Sequence, residues 1–422
     1  MSALEIPADA VLDVRIRLGR DRLTAISPSR VQVLIDTRPQ ALTRRQTVPV
    51  SIRLVVDVSG SMGDPVDHDQ ESKLEVVKQA ILRLLDELTD HDSVLLSVFS
   101  TDGRLVVPQI HAHRDSRQRI RNLLKKLKPE QSTNISAGLE LALHPVVDGA
   151  LPRVILFTDG NSSFPNEDHP RLVRLADEAR ASQIPLSIYG TGSNYNWSLL
   201  HQVAIQAGGG SFLKHVMNPS TLEGHMLAEL AFLRGTAIND FRIKGSVPDG
   251  VKIISVTSMM PLIRKLKHDG HVFRDSTGAL DLHRGAQYLV ELEVANPQVG
   301  LLARVLTMRF RGRLYETGQR FDHTLDAPVT FVENPSEASA PDPEVKKVQL
   351  MVMANDKAKE GKFQEASTLY SRAGDRDTSQ AMSVLHTASL GADADLEGLT
   401  RTGSTLAGGS VTQLFTANPN KS

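Results

Sequence analysis

The chain has 422 residues, with 48 lysines and arginines against 49 aspartates and glutamates, so its formal net charge is −1. At about 100–200 residues per domain, this length predicts two to four domains. The neutral balance argues against a dedicated nucleic-acid-binding protein, because the surface of such a protein is usually basic. The sequence contains no cysteine, which excludes disulfides, thiolate metal sites and cysteine nucleophiles.

Targeting signals are also missing from the sequence pattern. The N-terminal residues lack the charged patch followed by an apolar core that marks a signal peptide. No apolar run approaches the roughly 18 residues that a membrane-spanning helix needs. We therefore expect a soluble, cytoplasmic protein without a membrane span.

Periodicity divides the first half of the chain into two parts. Residues 11–37 alternate apolar and polar side chains, as β-strands do. From about residue 51 to residue 233, short β-branched runs alternate with amphipathic stretches of helical spacing. Strands that alternate with helices of this length predict a mainly parallel sheet covered on both faces. The expected fold class of this region is a doubly wound, Rossmann-like α/β domain.

Strand patterning returns after residue 236 and predicts a β-sandwich. Two N-terminal strands cannot bury a face by themselves, so we expect them to complete this sandwich, with the α/β domain inserted between its parts. A C-terminal α-helical segment follows, with a turn at Gly361, and then a tail too polar to offset the entropy of ordering. The predicted boundaries are 1–48 for the N-terminal strands of the sandwich, 49–235 for the α/β domain, 236–332 for the rest of the sandwich, 333–343 for a Pro/Ser linker, 344–392 for the C-terminal helices and 393–422 for a disordered Thr/Ser/Gly-rich tail.

Oxygen-bearing side chains follow the strands of the predicted α/β domain. Asp57, Ser59 and Ser61 alternate in the turn after its first strand, so they can project towards one point. Thr133 precedes a predicted helix, and Asp159 ends the central strand. Open α/β sheets bind ligands at the carboxyl ends of their strands. Two carboxylates and three hydroxyls form an all-oxygen ligand set, which suits Mg²⁺ or Mn²⁺.

The spacing Asp57-x-Ser59-x-Ser61, with Thr133 and Asp159 followed by glycine, resembles the metal-ion-dependent adhesion site of the von Willebrand factor A (vWA) family. All five motif positions are present. The resemblance is to bacterial members whose A domain is set inside a β-sandwich, and it covers roughly residues 10–333.

The resemblance implies a division of roles among these five residues. Ser59 and Ser61 would ligate the metal directly, whereas Asp57, Thr133 and Asp159 would ligate it directly or through water. One coordination position would remain open for an Asp or Glu carboxylate of a protein partner. The implied activity is binding without catalysis.

Two other functions are compatible with the same residues. A metal held by two carboxylates can support phosphoester hydrolysis, although no general base lies in the motif. A self-assembling structural oligomer would result if a carboxylate from a neighbouring copy completed the metal shell. The sequence does not predict the oligomeric state.

Hydroxyl side chains in the C-terminal tail suggest regulation. Thr400, Thr402 and Thr405 lie beside Arg401 and are candidate phosphorylation sites. Bacterial proteins resembling this chain often accompany a Ser/Thr kinase and a PP2C-type phosphatase, and a phosphorylated tail would attract a phosphothreonine-binding module. The alternative is an unmodified, solvated tail. The overall interpretation is a bacterial, non-enzymatic scaffold in a signalling or stress-defence system.

Overall fold

The computed structural model describes residues 11–40, 48–65, 71–143, 150–159, 162–191, 196–216, 219–259, 263–281 and 285–389. The chain divides into two compact units, and the α/β unit, residues 45–236, interrupts the other in sequence. That other unit combines residues 1–44 with residues 237–422.

The bounds of the elements follow in chain order. The strands are β1 (Leu12–Leu18), β2 (Arg22–Thr24), β3 (Ser29–Pro39), β4 (Val50–Asp57), β5 (Ser93–Phe99), β6 (Gly103–His111), β7 (Leu151–Thr158), β8 (Leu186–Thr191), β9 (Phe212–Val216), β10 (Thr236–Ser246), β11 (Val251–Ser258), β12 (Arg264–Lys265), β13 (Val272–Asp281), β14 (Ala286–Val294), β15 (Gly300–Leu314) and β16 (Arg320–Val332). The α-helices are α1 (Lys73–Glu87), α2 (Arg114–Leu124), α3 (Ile135–Ala142), α4 (Pro165–Ala181), α5 (Trp197–Ala207), α6 (Pro219–Arg234), α7 (Pro343–Lys359), α8 (Phe363–Arg372) and α9 (Arg376–Ser389).

The α/β unit is built on a six-stranded sheet with the order β6-β5-β4-β7-β8-β9. Its strands are parallel except for the edge strand β6, which runs antiparallel to β5. The central strands are apolar on both faces because helices cover both. Leu54 belongs to a cluster with α1, α2 and α6, whereas its neighbour Val55 belongs to a cluster with α3, α4 and α5. The predicted α/β fold is confirmed, with a mixed sheet.

The second unit contains two five-stranded sheets, with the orders β1-β3-β14-β11-β12 and β13-β10-β15-β16-β2. Val33 of the first sheet and Ile243 and Phe310 of the second lie in one buried hydrophobic cluster, so the sheets pack face to face. The N-terminal segment supplies three strands, not the two expected. β1 and β3 pair in the first sheet, while the short β2 pairs in parallel with β16 in the second.

Residues 333–343, which we expected to be a linker, connect β16 to α7. The segment begins with a short 3₁₀ helix, Pro335–Glu337. Its backbone then attaches to the N-terminal strands, since Ser339 N donates to Arg22 O at 3.0 Å and Asp342 N donates to Gly19 O at 2.8 Å. These hydrogen bonds hold the segment in place because they satisfy backbone groups on both partners.

Helix α7 packs against the β1–β3–β14 sheet, where Leu34, Leu289 and Met351 share a buried cluster. The turn predicted at Gly361 lies between α7 and α8, with a φ of 72° that favours glycine. The predicted tail, 393–422, lies outside the described residues.

Candidate metal centre

The turn after β4 is shaped by backbone hydrogen bonds to two neighbouring loops. Val58 N donates to Phe99 O at 2.9 Å, and Glu130 N donates to Val58 O at 2.6 Å. A short 3₁₀ helix, Gly60–Gly63, follows. A Cβ at Gly60 would lie 3.2 Å from Glu130 O, so glycine lets these two loops approach closely. The carboxyl end of β4 is thereby held beside the segment that carries Thr133.

Four of the five predicted ligands form one continuous hydrogen-bonded chain. Ser59 N donates to Asp57 Oδ1 at 2.8 Å. The hydroxyls of Ser59 and Ser61 are 3.2 Å apart, and the Ser61 hydroxyl donates to Asp159 Oδ1 at 2.8 Å. These contacts place the four residues together at the carboxyl ends of β4 and β7.

Thr133, the fifth predicted ligand, is not part of that chain. Its backbone N donates to Ser163 Oγ at 2.9 Å, and its carbonyl oxygen accepts from Ser163 N at 2.8 Å. The side chain is buried. No hydrogen bond joins its hydroxyl to Asp57 or Asp159 among the residues that the structure describes. The loop after β7 therefore positions Thr133 through its backbone and leaves the hydroxyl available.

Lys73, at the start of α1, contacts the site and was missed by the sequence interpretation. Its Nζ lies 2.6 Å from Asp159 Oδ2 and 3.3 Å from Ser61 O. The Asp159 side chain is fully buried and that of Lys73 is 14% exposed. A buried carboxylate needs a compensating charge, and here the ammonium supplies it. The sequence feature that could have predicted this contact is a basic residue at the start of the helix that follows the motif.

Thr158 is the second contributor that the sequence interpretation missed. In the parallel pairing of β4 and β7, Val56 lies opposite Phe157, which brings Thr158 beside Asp57. The Thr158 hydroxyl donates to Asp57 Oδ2 at 2.7 Å. Burial raises the pKa of Asp57 to about 6, and hydrogen bonds from Ser59 and Thr158 oppose that shift. These hydrogen bonds stabilise the ionised form of Asp57 against the cost of burial.

The donor set fits a hard divalent cation by its chemistry. It consists of two buried carboxylates and the hydroxyls of three neighbouring residues, all of them oxygen ligands. Among the described residues, no group of three or more His, Asp or Glu side chains could hold a metal by itself. A metal bound here would therefore depend on hydroxyl ligands. The candidate phosphorylation sites, Thr400, Thr402 and Thr405, lie outside the described residues and stay a prediction.

Comparison with known proteins is consistent with this arrangement. Residues 52–161 match the model of the von Willebrand factor type A domain. An uncharacterized protein of Synechocystis sp. is 29% identical over 214 residues, which is 50% of this chain and 48% of the relative. Human inter-alpha-trypsin inhibitor heavy chain H3 is 26% identical over 195 residues, which is 43% of this chain and 21% of the relative. The chain thus spans less than half the length of these relatives.

Two solved structures share the fold over nearly the whole chain. The von Willebrand factor type A protein of Catenulispora acidiphila has a TM-score of 0.76 at 17% identity, covering 96% of this chain and 99% of that one. The ArnB paralog VWA2 of Sulfolobus acidocaldarius has a TM-score of 0.55 at 16% identity, covering 94% and 98%. At these identities the likeness concerns the fold alone.

In the described part of the chain, no helix is long and apolar enough to cross a membrane. The family match falls on the strand–turn–helix segments that carry the site, and the sheet of the α/β unit agrees with it. Residues 52–161 of the chain thus form a domain of the von Willebrand factor type A kind.

Proposed function

We propose that this protein is a metal-dependent binding scaffold that engages an Asp or Glu carboxylate of a protein partner. The metal, Mg²⁺ or Mn²⁺, would be held by Asp57, Ser59, Ser61, Thr133 and Asp159. The observation that carries the proposal is the hydrogen-bonded chain from Asp57 to Asp159, which gathers oxygen ligands at the ends of two adjacent strands. The ends of parallel strands are where open α/β sheets bind ligands.

The charge balance of the site favours an external anion. When bound, the metal supplies two positive charges and a coordination position for a carboxylate from outside. Asp57 and Asp159 bring two negative charges, and Lys73 offsets part of the charge on Asp159. The metal would therefore be incompletely neutralised, and its field would attract a partner carboxylate.

The residues at the site favour binding over hydrolysis. The contacts described around Asp57 and Asp159 involve hydroxyls, backbone amides and one ammonium group. Neither a histidine nor a third carboxylate belongs to this described network, so it offers no general base for activating water. Phosphoester hydrolysis therefore ranks below binding, and assembly through a second copy of the chain is a variant of binding.

The rest of the chain would extend the scaffold. We propose that the two packed sheets form a β-sandwich that carries the inserted vWA domain, and that α7–α9 recruit a second protein. The setting would be a cytoplasmic bacterial signalling or stress-defence system with a Ser/Thr kinase and a PP2C-type phosphatase. Phosphorylation at Thr400, Thr402 or Thr405 would then add a site for a phosphothreonine-binding module.

Metal binding and partner binding can be measured separately on the full chain. Titration calorimetry with MgCl₂ should show saturable binding by the wild type and none by Asp57→Ala. The control is Asp115→Ala, which removes an exposed carboxylate from the first turn of α2. Equal metal binding by wild type and Asp57→Ala would overturn the site assignment.

The partner is sought by affinity capture from a lysate of the source organism, with Mg²⁺ or with EDTA. A protein retained by the wild type and by Asp115→Ala in Mg²⁺, but lost with EDTA or with Asp57→Ala, is the expected result. Identical proteins in every lane would contradict metal-dependent recognition.

Two further assays address the alternatives. Turnover of p-nitrophenyl phosphate that requires Mg²⁺ and Asp57 would favour a hydrolase. A molecular mass that falls on addition of EDTA, measured by light scattering, would favour self-assembly.

A further inference from the structure

A cleft of about 330 Å³ lies between helix α7 and the β1–β3–β14 sheet, wholly within the unit that contains both sheets. Ligand pockets in proteins span about 300–1,000 Å³, so this cleft holds a fragment of a few residues. The elements that line the cleft are the same ones that pack α7 onto the sheet. Its lining combines an apolar floor with strongly charged walls.

The floor of the cleft is a closed apolar surface. Leu34 from β3 and Val348 and Met351 from α7 line it, and all three are buried. They belong to one hydrophobic cluster that joins the helix to the sheet. Because these side chains are already shielded from solvent, they shape the bottom of the cleft and offer an occupant's apolar group van der Waals contact, with little further apolar surface to bury.

Cationic side chains outnumber anionic ones on the walls. Arg15, Arg17, Arg38 and Lys347 line the cleft, whereas its anionic residues are Asp36 and Glu344. Counting Asp13 and Asp342, which pair with Arg15 and Arg17, the two signs balance, so binding of an anionic occupant depends on the cations that these pairs leave available.

Two of the four cations already have ion-pair partners. Arg15 lies 3.0 Å from Asp13, and Arg17 lies 3.7 Å from Asp342. Arg38 and Lys347 form no ion pair within the part of the chain that the structure describes. These two residues are therefore the ones that an anionic occupant would contact first, and guanidinium groups bind carboxylates through paired hydrogen bonds.

The acidic residues limit how much negative charge the occupant carries. Gln287 Nε2 donates to Asp36 Oδ1 at 2.7 Å, and burial raises the pKa of Asp36. A di- or triphosphate would meet repulsion from Asp36 and Glu344, whereas carboxylates on separate side chains can face the arginines alone.

We infer that this cleft binds a short acidic peptide segment of a partner protein. Its carboxylates face Arg38 and Lys347, and an apolar side chain rests on the floor formed by Leu34, Val348 and Met351. This site is separate from the metal centre in its residues and in its chemistry. It needs no metal, because the protein itself supplies the positive charge.

The test uses the full chain and a fluorescein-labelled probe with blocked ends, the pentapeptide Asp-Leu-Asp-Met-Glu, in fluorescence anisotropy with EDTA present. The wild type should bind it saturably, and Lys347→Glu combined with Arg38→Glu should weaken binding by about 30-fold or more. Lys346→Glu is the matched control, since Lys346 is the exposed neighbour of Lys347 on α7 and does not line the cleft. That control should stay within about twofold of the wild type.

Several results would overturn the inference. These are the absence of saturable binding, equal affinity for the uncharged peptide Asn-Leu-Asn-Met-Gln, and an equal loss in Lys346→Glu. The chain also carries an acidic segment of its own at residues 391–397. If Asp393→Asn, Asp395→Asn and Glu397→Gln together tighten binding of the probe, that segment competes for the cleft and the assignment to a partner is wrong.

Discussion

The candidate metal centre of the vWA domain and the cleft under α7 differ in how their charged side chains are placed. In the first, Asp57 and Asp159 are buried carboxylates stabilised by hydroxyls, a backbone amide and one ammonium group. In the second, Arg38 projects from β3 onto an exposed surface and forms no ion pair within the described residues. Buried carboxylates carry a desolvation cost that a cation relieves, whereas exposed guanidinium groups remain hydrated without a partner. The comparison predicts a strong, specific requirement for a cation at one site and weaker, salt-sensitive anion binding at the other.

Asp159→Ala should have the largest effect. It removes one of two carboxylates and leaves the Lys73 ammonium beside the site, so Mg²⁺ affinity should fall by about 100-fold or more. Binding of the acidic probe in EDTA should not change. Calorimetry with MgCl₂ measures the metal affinity and anisotropy measures probe binding on the same protein sample, with Asp115→Ala as the control. A parallel loss at both sites would mean that they are coupled or that the variant is misfolded.

Lys73→Met should act in the other direction. The ammonium competes with a divalent cation for Asp159, and at an effective dielectric constant of about 20 two unit charges about 4 Å apart interact by about 4 kcal/mol. Part of this energy is lost to relaxation and solvent, so we expect Mg²⁺ affinity to rise about tenfold. Lys73→Arg should keep the wild-type affinity, and Lys126→Met controls for loss of an exposed positive charge in the same domain. Unchanged affinity in Lys73→Met would show that the ammonium does not oppose the metal.

Thr158→Val tests the hydrogen bond that supports Asp57. The variant leaves Asp57 Oδ2 without its donor, so the metal-free vWA domain should lose about 1–2 kcal/mol of unfolding free energy. Urea unfolding followed by the fluorescence of Trp197, the single tryptophan of the chain, which lies in α5, reports on this domain. Thr101→Val, at an exposed threonine, is the matched control and should stay within about 0.5 kcal/mol. If Thr158→Val unfolds at the same urea concentration as the wild type, Thr158 does not support Asp57.

Salt should weaken binding at the two sites to different extents, and this effect should be smaller than those of the substitutions above. Raising NaCl from 50 to 300 mM should weaken binding of the acidic probe several-fold, because exposed charges are screened. Mg²⁺ binding, for which both proposed carboxylate ligands are buried, should weaken less. Probe anisotropy and calorimetry across the same salt series make the comparison. Equal salt dependence would contradict the contrast in burial on which it rests.

Local patterns in the sequence were sufficient to predict the parallel strands of the vWA domain and four members of its candidate site. Asp57, Ser59 and Ser61 follow one apolar strand, and Asp159 follows another. Parallel strands of one sheet end at the same edge, so the alternation of strands and helices already implies that these residues meet. That inference needs no knowledge of side-chain contacts.

Other features depended on pairings between distant segments. The antiparallel edge strand β6, the transfer of β2 into the second sheet and the attachment of residues 333–343 to the N-terminal strands carry no local signature. Hydrogen bonding between strands is specified by register and burial across the whole unit, which a window of sequence does not contain.

The sequence by itself therefore determined the α/β fold class, the position of the motif and the chemical type of its ligands, because each follows from local periodicity and residue chemistry. Only the tertiary structure brought Lys73 to Asp159 and Thr158 to Asp57, and only the packing of α7 on the β1–β3–β14 sheet created the charged cleft. These contacts join residues far apart in the chain, and their energies depend on burial that arises when the elements pack together.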